Sequence, residues 1–213
     1  MRNKIILLAG LIVLGIGLNA EDNNKRYVSI SYFMKIHFGN FDKFSAIQDP
    51  NLPKLSNNTR FHGMKIEIGL TENIIIGLYT TGSLNDNRND NGYTSWGGAL
   101  GVPYVQYKYF INESFFGSFG IGLGCGRFTY STSYRNGDKS ITSHNDKIFL
   151  EPMANIGYIV PVIPWQFIIS PEVSYITNLE IPGLSNGYYA GENNDINAFP
   201  KGWILGSSIG YKF

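Results

Sequence analysis

The feature that most constrains this chain is a strict alternation of apolar and polar residues. In the segment Tyr27–Phe38 every even position is apolar or aromatic, and most of the odd positions are polar, among them Lys35 and His37. A period of two residues sustained over such a segment predicts a β-strand with one apolar and one polar face. The sequence therefore predicts a protein built from amphipathic strands.

The same alternation recurs often enough to predict eight strands. It is clear in five further segments and less regular in two more: 64–70, 119–126, 148–158, 165–175 and 203–213, then 74–83 and 96–111. In the Gly-rich segment 119–126 the face opposite the apolar one consists only of glycine. Over six strands the apolar faces carry no charge, and the opposite faces are small or polar, which favours a lipid-facing barrel with a narrow lumen. A soluble β-sandwich or lipocalin-like barrel is the alternative, since alternation alone fits both.

The connections between these strands alternate between short and long. The short ones are 71–73, 111–114 and 160–164, and the long polar ones are 39–60, 84–94, 131–146 and 177–200. Short periplasmic turns and long external loops are typical of outer-membrane barrels. Each strand needs roughly 10 residues, so eight strands leave room for these loops and sixteen do not. We predict an all-β fold, an eight-stranded antiparallel up-and-down transmembrane β-barrel; ten strands stay open if 39–60 or 177–200 contains a hairpin.

The N-terminus has the layout of a secretion signal. Arg2 and Lys4 precede an apolar run, Ile5–Leu18, and Ala20 stands before an acidic, polar segment. This layout predicts a cleaved signal peptide over 1–20, followed by a single barrel domain over 21–213. Without the first 20 residues the chain has 15 basic and 16 acidic side chains, a net charge of −1, which argues against a nucleic-acid partner. A lone cysteine excludes an intramolecular disulfide framework.

Taken together, the chain resembles the small outer-membrane β-barrels of Gram-negative-type bacteria, the OmpA/OmpX/OmpW-like group. The closing residues Ile209, Tyr211 and Phe213 are similar to the terminal signal of such proteins, a final Phe preceded by apolar or aromatic residues at alternate positions. The resemblance covers residues 27–213 and is architectural apart from this ending. It implies a bacterial outer-membrane location and insertion by the barrel-assembly machinery, with membrane lipid around the barrel.

Six charged residues fall on the predicted polar face, three of each sign: Lys35, Lys65, Lys108, Glu67, Glu151 and Glu172. Charges at membrane depth must be paired or hydrated, so they are expected to meet inside the lumen. Strands two and six lie on opposite walls of an eight-stranded barrel, which would let Lys65 and Glu67 face Glu151. We interpret the cluster as a salt-bridged plug, because eight strands leave little open bore. A proton or ion path is the functional alternative.

Chemistry of other kinds has weak support in the sequence. The histidines His37, His62 and His144 show no spacing with serine that would mark an outer-membrane lipid-modifying enzyme, so we predict no enzyme and no catalytic residue. The segment Asn87–Gly92 is similar to the start of a calcium loop, but glycine stands at position 98, where the bidentate glutamate belongs. The sequence predicts no metal site and no cofactor.

Function is therefore expected in the external loops, where a rigid scaffold normally carries it. Tyr188, Tyr189 and Phe199 in the last long loop are the candidates for contact with a host or envelope macromolecule. The sequence favours a structural or surface-interaction protein. The alternative is a narrow channel or transporter for small or apolar solutes.

Overall fold

The computed structural model describes residues 27–39, 50–135, 140–162, 165–179, 188–190 and 201–213. The predicted signal peptide over 1–20 lies outside these ranges, and so does Phe199. No helix in the described ranges is long and apolar enough to cross a membrane.

Antiparallel strands close into a ring. They are β1 (Tyr27–Gly39), β2 (Asn58–Gly69), β3 (Ile74–Asn89), β4 (Gly92–Phe110), β5 (Phe115–Tyr134), β6 (Ser140–Val162), β7 (Trp165–Asn178), β8 (Tyr188–Ala190) and β9 (Gly202–Lys212). Neighbours along the chain pair with one another, β9 pairs with both β7 and β1, and the ring is complete. Among the described strands, the three-residue β8 pairs only with the external part of β6. The barrel thus has eight strands, which confirms the predicted fold class and excludes ten.

The register makes the barrel narrow. From Ile36 the paired positions lead one way through β9 and β7 to Ala154, and the other way through β2, β3, β4 and β5 to His144. The two paths reach β6 ten residues apart, which is the stagger of the barrel. Eight strands with such a stagger tilt by about 35–45° and leave a bore that side chains fill.

The outward face is apolar across the middle of the strands. Val28, Ile66, Leu123 and Ile169 are all exposed, as expected for side chains that face lipid. Exposed aromatic residues flank this band: Tyr107, Tyr109, Phe110 and Tyr158 near the periplasmic turns, Phe38 and Trp203 near the external end. Ile68 is an exception on this face, being only 5% exposed.

Two of the predicted long loops are strands instead. β3 continues to Asn89 and β4 starts at Gly92, so Asp90 and Asn91 form a tight turn; β5 likewise continues to Tyr134 before β6. The prediction of loops at 84–94 and 131–146 was wrong because both faces of these segments are polar, which removes the hydropathy period while the strand pairing continues. β5 has 20 residues against the roughly 10 that a membrane strand needs, so these hairpins project beyond the membrane.

The inward face is less polar than the sequence suggested. Many of its buried side chains are aromatic or aliphatic, including Phe33, Phe61, Trp96, Phe128 and Phe149. The glycines of β5 make room for them: a Cβ on Gly124 would lie 2.2 Å from the ring of Phe149. The expectation of small or polar inward faces was wrong here, because inward glycines on one strand allow large inward residues on the next.

Candidate functional site

The barrel interior holds an alternating row of acidic and basic side chains. Five of the six predicted lumenal charges come together from β1, β2, β6 and β7, and all five are buried: Lys35, Lys65, Glu67, Glu151 and Glu172. Their inward position follows from strand parity, since they alternate with apolar residues of the outward face. We call this set the ion-pair chain.

Glu172 stands at the centre of the ion-pair chain. Its carboxylate lies 2.5 Å from Lys35 Nζ and 3.6 Å from Lys65 Nζ. Lys35 also lies 3.7 Å from Glu151, and Lys65 lies 3.4 Å from Glu67. The predicted approach of Lys65 to Glu151 is therefore replaced by contacts of Lys35. Lys35 on β1 is nearer to β6 and β7 around the ring than Lys65 on β2.

Hydroxyl groups donate further hydrogen bonds to Glu67 and Glu151, the carboxylates at the two ends of the ion-pair chain. Glu67 accepts hydrogen bonds from Tyr104 at 2.8 Å and from Ser29 at 3.0 Å. Glu151 accepts one from Ser174 at 2.6 Å and one from Tyr79. These partners were missed from the sequence, although their inward parity was a usable signal. A buried carboxylate with several charge-assisted donors is held in one geometry.

Lys108 lies apart from the ion-pair chain. Its ammonium nitrogen is 3.8 Å from the ring centroid of Phe116, 4.7 Å from that of Phe110 and 5.0 Å from that of Tyr27. The side chain is fully buried, and among the described residues its nitrogen has no hydrogen-bond acceptor. Ring faces therefore stabilise this cation near the periplasmic end.

An aromatic layer fills the interior on the external side of the charges. Trp96 stacks on Phe128 at 5.4 Å and meets Phe61 edge-on at 6.3 Å. Phe33 meets Tyr79 edge-on at 5.3 Å, next to the ion-pair chain. Within the described barrel, the ion-pair chain is thus followed, toward the external end, by a layer of aromatic rings.

An asparagine ladder on β3 and the following turn holds a segment of the first loop across the external mouth. Asn85 donates to Ser56 O at 2.7 Å, and Asn87 donates to Lys54 O at 2.9 Å. Asn89 and Asn91 both donate to Asn51 O, at 3.0 and 3.1 Å. The asparagine run therefore has a structural role, because its side-chain amides form hydrogen bonds within the chain.

Two of the three histidines each contact one hydroxyl group. His62 Nδ1 lies 2.8 Å from the Tyr32 hydroxyl, and His144 Nδ1 lies 2.9 Å from Thr129 Oγ1, both on the outward face. His37 is buried near Phe61. Within the described ranges, no three His, Cys, Asp or Glu side chains are grouped as a metal site would need.

The remaining predicted residues lie at the two ends of the barrel. Ile209 is exposed on the outward face of β9, and the chain ends beside β1, where Phe213 N donates to Val28 O. Tyr188 and Tyr189 form β8 and pair with His144 and Ser143 of β6. The structure thus places β8 beside the external hairpin of β5 and β6.

No protein-family model matches the chain, and no curated protein sequence matches it. Solved structures do match. Ail, the attachment invasion locus protein of Yersinia pestis in complex with sucrose octasulfate, is 15% identical with a TM-score of 0.52, covering 89% of this chain and 98% of Ail. The N-terminal β-barrel domain of Pseudomonas aeruginosa OprF is 14% identical with a TM-score of 0.43, covering 88% of this chain and 97% of that domain. Neisserial surface protein A is 13% identical with a TM-score of 0.44, covering 88% of this chain and 95% of that protein. This chain has the fold of the small eight-stranded outer-membrane β-barrels.

Proposed function

We propose that this protein is a rigid barrel of the bacterial outer membrane that presents its external hairpins and loops for contact with other molecules. The observation that supports this role best is the ion-pair chain. Five buried charges joined by contacts of 2.5 to 3.7 Å fill the bore with side chains that hold one another in place.

A closed interior follows from the energetics of this arrangement. Removing a charge from water costs several kcal/mol, and close opposite charges with further hydrogen bonds offset that cost. An ion entering the bore would have to separate Lys35 from Glu172, and then pass the rings of Phe61 and Trp96. The interior therefore acts as a plug, and the part of the protein that is free to interact lies outside.

The external side offers a large surface for such contacts. The two long hairpins project beyond the membrane, and β8 brings Tyr188 and Tyr189 next to one of them. A host or envelope macromolecule is the proposed partner of this surface. Export through a cleaved signal at 1–20 and reading of Ile209, Tyr211 and Phe213 by the barrel-assembly machinery complete the proposal.

The competing function is a narrow channel for small or apolar solutes, and conductance distinguishes the two. Purified full-length protein is reconstituted in planar bilayers, and folding in the same sample is verified by heat-modifiable gel mobility. We expect no steady unitary currents at neutral pH. Reproducible unitary currents from folded protein would overturn the closed barrel, and uptake of apolar solutes by protein-containing vesicles would favour the transporter.

A further inference from the structure

The segment 50–57 of the first loop lies against the external ends of β3 and β4, but it has no regular secondary structure of its own. The four side-chain amides of the asparagine ladder donate to three of its main-chain carbonyls, at 2.7 to 3.1 Å. Asn85 also accepts a hydrogen bond from Ser56 N at 3.3 Å. From Lys54 to Ser56 the contacts advance in step with β3, two residues along each chain, so this part of the segment is extended.

Two leucines of this segment are packed against the protein. Leu52 is 6% exposed, and a Cβ on Gly92 would lie 2.8 Å from its Cδ2 atom, so Leu52 rests on the backbone of Gly92. Leu55 packs against the buried aromatic cluster of the interior. The side chain of Lys54 is exposed to solvent. The protein therefore offers two apolar positions, three residues apart along the bound segment, and makes little use of the lysine between them.

The ladder recognises a peptide backbone and not one particular sequence. All four amides bind carbonyl groups that any polypeptide chain possesses, and Asn87, Asn89 and Asn91 are exposed at the external end. In peptide-binding sites of this kind, hydrogen bonds to the main chain give affinity, and pockets for selected side chains give specificity. A peptide from outside with apolar side chains at the same spacing could therefore take the place of 50–57.

From these contacts we infer that the inner face of the β3–β4 hairpin is a groove for an extended peptide of another protein. The partner peptide carries two apolar side chains three positions apart, which replace Leu52 and Leu55. The segment 50–57 is an internal competitor that fills the groove until the partner displaces it. The inference rests on the proposed role of the external hairpins in contact, and it names the class of partner.

The test is fluorescence anisotropy with the folded full-length protein in detergent micelles, with empty micelles as the blank and folding verified by heat-modifiable gel mobility. The probe is a fluorescein-labelled peptide with the sequence of residues 50–57. Two comparison peptides carry serine at both leucine positions, or glutamine at the lysine position. In the protein, Leu52→Ser with Leu55→Ser gives an opened variant, in which the internal segment is unseated and the groove is intact. Lys54→Ser, at an exposed position of the same segment, is the matched control.

A second set of variants tests the ladder itself. Asn87→Ala with Asn89→Ala, added to the opened variant, removes two of the four amides. Arg88→Ala in the same background is the matched control, because alternation along β3 places Arg88 on the opposite face from its two neighbours.

We expect the opened variant to bind the probe about tenfold more tightly than wild type or Lys54→Ser does. The physical reason is that a tethered segment has an effective concentration on the order of mM, so wild type presents an empty groove only in a small fraction of molecules. Loss of the two amides should weaken binding to the opened variant about tenfold, whereas Arg88→Ala should leave it unchanged. The glutamine peptide should bind as the probe does, and the serine peptide should show no measurable binding.

The inference is overturned if the folded opened variant binds no probe, if wild type binds the probe as tightly, or if the serine peptide binds equally well. Equal losses in the ladder variant and Arg88→Ala would overturn it too. A wild-type dimer that the opened variant does not form, seen by native mass spectrometry, would assign the groove to the loop of a second copy instead. Because peptide binding and conductance are separate measurements, failure here is distinguishable from failure of the closed barrel.

Discussion

Glu172 is the carboxylate that lies between the two lysines of the ion-pair chain. It accepts a hydrogen bond from Lys35 and forms an ion pair with Lys65 at 3.6 Å, so the two lysines share one carboxylate between them. Glu67 and Glu151 can rely partly on hydroxyl donors, whereas Glu172 relies on the two ammonium groups. The loss of Glu172 therefore leaves two buried cations with weakened compensation.

We expect Glu172→Gln to destabilise the barrel in urea, by up to ~3–5 kcal/mol, the usual effect of breaking a buried ion pair. Adding Lys35→Met should recover part of the loss, with a coupling of about 0.5–3 kcal/mol. Glu113→Gln, at an exposed turn between β4 and β5, is the control and should be neutral. If Glu172→Gln and wild type were equally stable, each lumenal charge would be stabilised by water and not by its ion-pair partners.

Strand parity was sufficient to predict that these charges point inward, but not which of them meet. Lys35 alternates with exposed neighbours, so its face could be predicted from β1 alone. Its contact with Glu172 depends on the stagger of the whole ring and on side-chain reach, neither of which appears in local sequence. Lys108 shows the same limit, because its ring partners come from β1, β4 and β5.

The elements whose bounds were hardest to predict are β3 to β6. Hydrophobic periodicity marks only the part of a strand that faces lipid, and it ends where both faces become polar. In the run from Asn85 to Asn91 every side chain is polar, yet the odd positions share one face and bind the first loop. In this part of β3, alternate residues differ in their hydrogen-bond partners and not in their hydropathy.

The double variant Asn87→Ala with Asn89→Ala should release the first loop from the β3–β4 hairpin. Each lost hydrogen bond contributes about 0.5–1.5 kcal/mol, so the opened fraction should rise about tenfold. Limited trypsin digestion of the folded protein, followed by mass spectrometry, measures cleavage after the exposed Lys54. Asn57→Ala, in the same loop, is the control. Equal cleavage in all three proteins would contradict a closing role for the ladder.

At the scale of the whole molecule, the interior has three layers of side chains along the barrel axis, which we call tiers, and single strands contribute residues to more than one of them. Phe116, Ile159 and Ile168 pack at the periplasmic end, the ion-pair chain lies further in, and Trp96 with Phe128 lies toward the outside. β5 carries both Phe116 and Phe128 on one continuous strand. Because the pairing of β5 with β6 is unbroken from Phe115 to Ser133, we infer that the tiers unfold together.

Cooperative unfolding is testable with one truncation at each end. Trp96→Ala and Phe116→Ala should each lower the free energy of unfolding by ~3–5 kcal/mol, the usual cost of removing a buried aromatic side chain. The residues are far apart, so the double variant should show the sum of the two effects. Urea unfolding followed both by far-UV circular dichroism and by heat-modifiable gel mobility should give a single coincident transition for every variant. If Trp96→Ala lost strand signal before the gel band shifted, the external hairpins would unfold separately from the membrane-spanning ring, and the rigid presentation proposed for them would be wrong.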